Sequence, residues 1–387
     1  MKILFALIST GLSGGVRYIF EVANGLKERG HDVKIVSLTG DHRWFKNLKV
    51  DVIYKPLNLN MFHSTLYNLY RFYSHITLKN VRRTPYGVFR SISSKLLSIR
   101  PDSIIELADL IKDFDADATI ATYYLTAFSV WFSQNKNPFY LMQDFPDLVQ
   151  NNEGKIGINM FYFSLKLPFS FITISSYTKQ LIAENNPTAK ITVAYPGVNL
   201  SIFKTRKNNS YSQKKKVMII LRGSNYKGDE LALKALKNVN KKIPIHVIFV
   251  GNKRFVSHYS KIIKLDFKYT VFSNVSDEVL AELYSSSDAF LYTSYVEGFG
   301  LPPLEAMACG TPVVMTDNKG SRDYAVNGFN ALISQPGDVK SLVDNLLKVL
   351  QDDKLRDRLI ENGLETAKKF TWEKTVENFE KALKEIN

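Results

Sequence analysis

The chain has a single cysteine, Cys309, in 387 residues. One thiol excludes an internal disulfide and a cysteine-rich metal site, and it fits a reducing, cytoplasmic setting. No stretch approaches eighteen consecutive apolar residues, so no segment reads as a membrane-spanning helix. The opening MKILFALIST has a short apolar run and no small-residue cleavage site, and it reads as a first buried strand rather than a leader. His, Asp and Glu nowhere gather at metal-ligand spacing, so neither a metal nor any other cofactor is expected. Acid is also unevenly spread. Met61 to Arg100 contains none, only lysines and arginines interleaved with tyrosines and phenylalanines.

What is present is a net charge of +14 and enough chain for two cores. The charge points to an anionic partner: nucleotide phosphates or acidic lipid headgroups. For the acid-free segment, one reading is a solvated helical excursion packing its aromatics on the core. The other is a patch on an anionic membrane surface, which would put the protein at its inner face. Nucleic acid is disfavoured, because no recognised motif accompanies the basic residues.

The hydrophobic pattern repeats strand, loop, helix. KILFALI is a continuous apolar run, as a central parallel strand requires. After GLSGG, residues Val16, Ile19, Phe20, Ala23 and Leu26 share one helical face, and Gly30 ends that helix before a second strand, HDVKIVSL. ADATIATYY, NPFYLMQD and SFITISS read as further strands. The run from Lys204 to Lys216 is basic and polar and reads as a linker. The rhythm then restarts with VMIIL, a helix DELALKALKNVN, and strands IHVIFVG, DAFLYTS and TPVVMTD. One long amphipathic stretch from Ser341 to Phe370 and a separate last helix follow. Alternation of this kind predicts two doubly wound α/β domains: 1–200, and 213–370 with the final helix 371–387 returning to the first.

Four stretches could carry chemistry. In SYVEGFGLPPLEAMACGTPVV, Glu297 and Glu305 stand eight residues apart at the carboxyl end of a strand. Gly298 and Gly300 allow a tight turn, and Pro302 and Pro303 suit a first helical turn. A helix start of this kind attracts phosphate; the alternative is a helix cap with incidental acids. In LRGSNYKGDELALKAL, Arg222 and Lys227 flank a strand-to-helix loop, which is either a diphosphate clamp or a solvated surface. Gly14 and Gly15 lie in a loop that lacks the G-x-G-x-x-G spacing, and no acid ends the next strand, so a nicotinamide dinucleotide is not expected there. Asp144 follows a strand in YLMQDFPD, where it either faces a ligand or caps the next turn. Asp115-Ala116-Asp117 precedes its strand and reads as a solvated turn.

The first of these stretches resembles the E-x7-E motif of retaining glycosyltransferases of family 4. That resemblance implies a GT-B fold, in which two Rossmann-like domains face a central cleft and the C-terminal helix crosses back to the N-terminal domain. It implies that Glu305 holds the ribose hydroxyls of a nucleoside diphosphate sugar, that Glu297 faces the transferred sugar, and that Gly298, Phe299, Gly300 and Leu301 meet the diphosphate. Arg222 and Lys227 would neutralise the leaving group, with the family's usual Gly-Arg order reversed here to Arg222-Gly223. Gly14 and Gly15 would approach the donor phosphates. The histidine that the family often places near such a strand end is absent, Tyr123-Tyr124 and Gln143-Asp144 standing there instead; from its own position Asp144 either orients an acceptor hydroxyl or receives its proton, or caps the next turn. The activity implied is metal-independent, retaining transfer of a hexose to a glycan or lipid-linked acceptor in polysaccharide or glycolipid assembly. A non-catalytic nucleotide-sugar binding protein is the alternative.

Overall fold

The computed structural model describes residues 1–55, 101–206 and 215–385. The basic aromatic segment singled out in the sequence therefore lies outside the described residues, as does most of the basic linker. The chain divides into two compact units: Met1–Ile172 with Leu181–Thr192 and Ala382–Asn387, and Thr173–Gln180 with Val193–Lys381.

The first unit carries a seven-stranded sheet in the order β3-β2-β1-β4-β5-β6-β7. Its strands are β1 (Lys2–Ser9), β2 (Asp32–Thr39), β3 (Asp51–Tyr54), β4 (Ala118–Ala121), β5 (Pro138–Met142), β6 (Ser170–Thr173) and β7 (Ile191–Val193). Pairings of β1 with β2 and β4, of β2 with β3, and of β4 with β5 are parallel. The helices are α1 (Gly14–Glu28), α2 (Pro101–Lys112), α3 (Tyr124–Ser133), α4 (Pro146–Ser164) and the second half of α5 (Ser176–Asn185), whose first half counts with the second unit. Helix α1 buries Ile19, Phe20, Ala23 and Leu26 on the face its periodicity marked. Its Ser13 cap accepts the Val16 N–H, and Gly30, at φ +87°, closes it.

The second unit is a six-stranded parallel sheet in the order β10-β9-β8-β11-β12-β13. The strands are β8 (Lys215–Leu221), β9 (Ile245–Gly251), β10 (Lys268–Phe272), β11 (Ala289–Tyr292), β12 (Val313–Thr316) and β13 (Ala331–Ser334). Helices α6 (Asp229–Asn240), α7 (Lys253–Ile262), α8 (Asp277–Ser285), α9 (Leu301–Ala308), α10 (Val339–Gln351), α11 (Asp353–Ala367) and α12 (Trp372–Lys384) complete it. The core joins Val217, Ile219 and Leu221 of β8 to Leu233 and Leu236 of α6 and Leu342 and Leu346 of α10. Among the described residues no helix is long and apolar enough to cross a membrane.

The structure corrects the sequence reading in two places. The strand expected through Tyr124 stops at Ala121, because the Thr126 hydroxyl accepts the N–H groups of Thr122 and Tyr123 at 2.8 and 3.0 Å and starts a helix there. The long amphipathic stretch is two helices. Asp352 ends α10, and its side chain caps α11 by accepting the Leu355 N–H at 3.0 Å. Asp115 and Asp117 are exposed at the amino end of the first sheet, both bonded to Lys2.

Candidate active site

In each sheet the strand order reverses beside the first strand of its unit, and open α/β sheets bind ligands at such switch points, beyond the carboxyl ends of the strands. In the second unit the reversal falls between β8 and β11. The loops leaving these strands are Arg222–Gly228 and Thr293–Gly300, which hold every candidate residue assigned to this unit except Leu301 and Glu305, on the helix that follows.

The two loops lock together through one glycine. Gly228, at φ +68°, lies so close to β11 that an added Cβ would stand 2.1 Å from the Thr293 carbonyl oxygen. The Thr293 hydroxyl answers by donating to the Gly228 carbonyl at 2.8 Å. This close approach lays Lys227 across the end of β11. Its Nζ donates to Glu297 Oε1 at 2.7 Å and Oε2 at 2.8 Å, and the Tyr292 hydroxyl donates to Oε1 at 2.5 Å. The Lys227 and Glu297 side chains are 13% and 9% exposed, so the pair is shielded from water.

Electrostatics follow from this geometry. Burial works against the Glu297 carboxylate, but the Lys227 ammonium and the Tyr292 hydroxyl outweigh it and hold the pKa below the usual glutamate value. The Lys227 pKa is lowered, first by burial and then, against the pull of Glu297, by the nearby Arg222. Arg222 is exposed at the rim. Desolvation works against its charge too, yet the fields of Tyr292, Glu297, Tyr284 and Glu305 raise its pKa overall. Asp229, at the start of α6, accepts the N–H groups of Arg222 and Gly223 at 3.1 and 2.7 Å, which folds the loop back on the helix. Burial raises its pKa in spite of those bonds. Arg222, Lys227, Asp229, Tyr292, Thr293 and Ser294 line a small pocket here.

Glu305 sits one turn into α9 and accepts the Tyr284 hydroxyl at 3.4 Å. Between the two glutamates, Gly300 takes the left-handed conformation at φ +86° that starts α9, and Pro302 and Pro303 occupy its first turn.

The remaining candidates belong to the first unit, at the carboxyl ends of β1 and β5. Gly14 opens α1, and the Gly15 carbonyl accepts Gln143 Nε2 at 3.4 Å. Asp144 is buried and its Oδ2 has no hydrogen-bond partner. Desolvation pushes its pKa to about 8, the Tyr124 N–H opposing and the Glu153 charge assisting. Glu153 in turn accepts the hydroxyls of Tyr123 and Tyr124. Burial thus works against the charged form of Asp144.

Two family models meet end to end on the chain. "Glycosyltransferase Family 4" matches residues 12–202 and "Glycosyl transferases group 1" matches residues 202–366. The chain belongs to family 4 of the glycosyltransferases. O-antigen chain mannosyltransferase B of Escherichia coli is 43% identical over 99 residues, covering 26% of this chain and 26% of that protein. An uncharacterised glycosyltransferase of Methanocaldococcus jannaschii is 28% identical over 228 residues, 56% of this chain and 59% of its own length. These matches span between about a quarter and three fifths of those curated relatives.

Solved structures share the fold over the whole chain. Sucrose-phosphate synthase of Thermosynechococcus elongatus superposes with a TM-score of 0.77 at 17% identity, covering 100% of this chain and 99% of that one. HepE of Anabaena, in complex with UDP-glucose, gives 0.74 at 16% identity with 100% of both chains covered. The architecture of this family 4 chain is thus the two-domain α/β GT-B arrangement.

Sequence reasoning passed over Tyr292, Asp229 and the turn Asn318–Tyr324 below the Glu297 loop. Tyr292 could have been found: it ends the strand that leads into the loop, five residues before Glu297. Nothing local marks the turn, which reaches Glu297 through sheet order alone.

Proposed function

We propose that this family 4 chain transfers a hexose from a nucleoside diphosphate sugar to an acceptor hydroxyl, with anomeric retention and without a metal. The observation that carries the reading is the shielded Lys227–Glu297–Tyr292 constellation at the β8/β11 switch point, with Arg222 at its rim and the Gly300 turn opening α9 beside it. In this reading the diphosphate lies against the Gly298–Leu301 backbone, and Glu305 takes the ribose. Arg222 and Lys227 absorb the charge of the leaving group, a role worth roughly 10²-fold or more in turnover for one preorganised donor. Glu297 fixes Lys227 and orients the sugar. It does not act as one of a pair of glycosidase carboxylates, since Glu305 is given to the ribose.

In the first unit, Asp144 is the residue given to the acceptor hydroxyl. HepE bound to UDP-glucose supports a uridine donor, and the O-antigen relative supports a growing glycan or lipid-linked acceptor. An anionic membrane surface as partner rests on the basic aromatic segment alone, and co-sedimentation with anionic liposomes at low salt tests it.

The experiment for the main reading is a thermal-shift screen against UDP-, GDP-, ADP- and dTDP-sugars, followed by a transfer assay with the stabilising donor. Stabilisation by one donor class with sugar transfer supports it. Stabilisation with neither transfer nor donor hydrolysis would reduce the chain to a nucleotide-sugar binding protein, and no stabilisation by any donor would sink the reading.

A further inference from the structure

Beneath the loop from Glu297 to Leu301 lies the turn that follows β12. Three of its residues grip the loop backbone. The Glu297 N–H donates to the Asn318 carbonyl at 2.9 Å. Gly320 presses on the loop so closely that an added Cβ would stand 2.5 Å from the Glu297 carbonyl oxygen and 2.6 Å from the Gly298 carbonyl carbon. The Tyr324 hydroxyl donates to the carbonyl of Gly300, the left-handed residue that starts α9.

Tyr324 also meets the loop with its ring. Phe299 and Tyr324 pack with centroids 5.2 Å apart, and Phe370 closes on both at 6.0 Å, with Tyr195 against Phe299 at 6.2 Å. Tyr324 is only 3% exposed. Burial, with the Glu297 and Glu305 charges adding to it, drives its pKa well up, so the hydroxyl remains a donor. A carbonyl so fixed sets the direction of the next peptide, because the peptide unit is planar. Gly300 has two soft dihedrals and no Cβ to limit them, so the loop supplies little restraint of its own.

We infer that Tyr324 is a positioning residue for the candidate donor site: its hydroxyl and ring hold the Glu297–Leu301 loop in the conformation that presents backbone N–H groups to a diphosphate. This rests on the donor-site reading above, and the arrangement of Tyr324 on the loop is testable apart from it.

The test compares Tyr324→Phe, which keeps the ring and removes one hydrogen bond, with Leu346→Ala, a cavity in the core of the same unit far from the loop in sequence. Hydrogen–deuterium exchange of the full chain without ligand reads peptides covering residues 297–304. Calorimetry reads the affinity for whichever of UDP, GDP, ADP and dTDP the wild type binds. Loss of one net hydrogen bond predicts exchange in that segment faster by about 3- to 10-fold, with affinity weakened by a similar factor. Leu346→Ala lowers the melting temperature and leaves both readings in the loop unchanged. Loop exchange in Tyr324→Phe equal to wild type, or faster only in parallel with the whole unit, overturns the inference. A wild type that binds none of the four nucleotides overturns the donor reading instead, and the exchange data still decide whether Tyr324 holds the loop.

Discussion

The ammonium of Lys227 lies between 2.7 and 2.8 Å from both carboxylate oxygens of Glu297, seventy residues away in sequence. Sequence placed one on the diphosphate and the other on the sugar. The fold makes them partners, so each sets the other's position and charge. A shielded pair of this kind gives little net stability, but breaking it leaves an uncompensated charge.

Lys227→Ala therefore destabilises the fold by about 3 kcal/mol or more. Lys227→Met with Glu297→Leu recovers most of that loss while leaving the chain inactive. Urea unfolding of the single and double variants measures it, and additive losses would contradict the pairing.

Arg222→Ala separates chemistry from stability. The residue is exposed, unlike the shielded Lys227–Glu297 pair, so unfolding changes by no more than about 1 kcal/mol. Turnover falls by roughly 10²-fold, since a cation facing the leaving diphosphate is gone. Steady-state kinetics with saturating donor decides it.

Gly228→Ala places a methyl 2.1 Å from the Thr293 carbonyl oxygen at a φ of +68°. Strain and displacement of the loop are expected to cost roughly 2 kcal/mol or more. Denaturant midpoints give the cost, and the same variant should lose donor affinity because Lys227 moves with its neighbour.

Asp144 has its pKa raised to about 8 by burial, above an ordinary value of 3.8. Between these values the native state holds a proton that the unfolded chain has released, so this group's stabilisation is lost as pH climbs from about 4 to about 8. Asp144→Asn removes that dependence. The difference in urea midpoint between variant and wild type should grow in the variant's favour from pH 5 to pH 8.5. A constant difference would mean that Asp144 is ionised in the native state.

The proposed chemistry needs no metal, so dialysis against a chelator should leave the transfer rate unchanged. A large fall restored by a divalent cation would overturn that part of the proposal.

The alternating fold was legible because its central strands are continuous apolar runs; KILFALI and IHVIFVG are buried on both faces. Strands β3, β7, β10 and β13 were not, since each is short and offers no long apolar run. The site divides the same way. Glu297 and Arg222 stand on loops, and Glu305 on the helix just after one, whose glycines and prolines announce a turn at a strand end. Tyr324, Asn318 and Gly320 act through β12 lying next to β11, a neighbour relation that no local pattern encodes. The pull of Glu297 on Lys227 is a distance between two loops, and only the close approach of Gly228 to Thr293 produces it.

The central claim, that the second unit binds a nucleoside diphosphate sugar through its ribose and diphosphate, is tested most directly by calorimetric titration of wild type and Glu305→Gln. The ligands are UDP, GDP, ADP and dTDP, and the 2′,3′-dideoxy form of whichever binds best. Wild type should bind one of the nucleotides at least about tenfold more tightly than its dideoxy form, as loss of a charge-assisted hydrogen bond requires. Glu305→Gln should bind the two nearly alike. Equal wild-type affinity for both forms, or no binding of any nucleotide, would contradict the account.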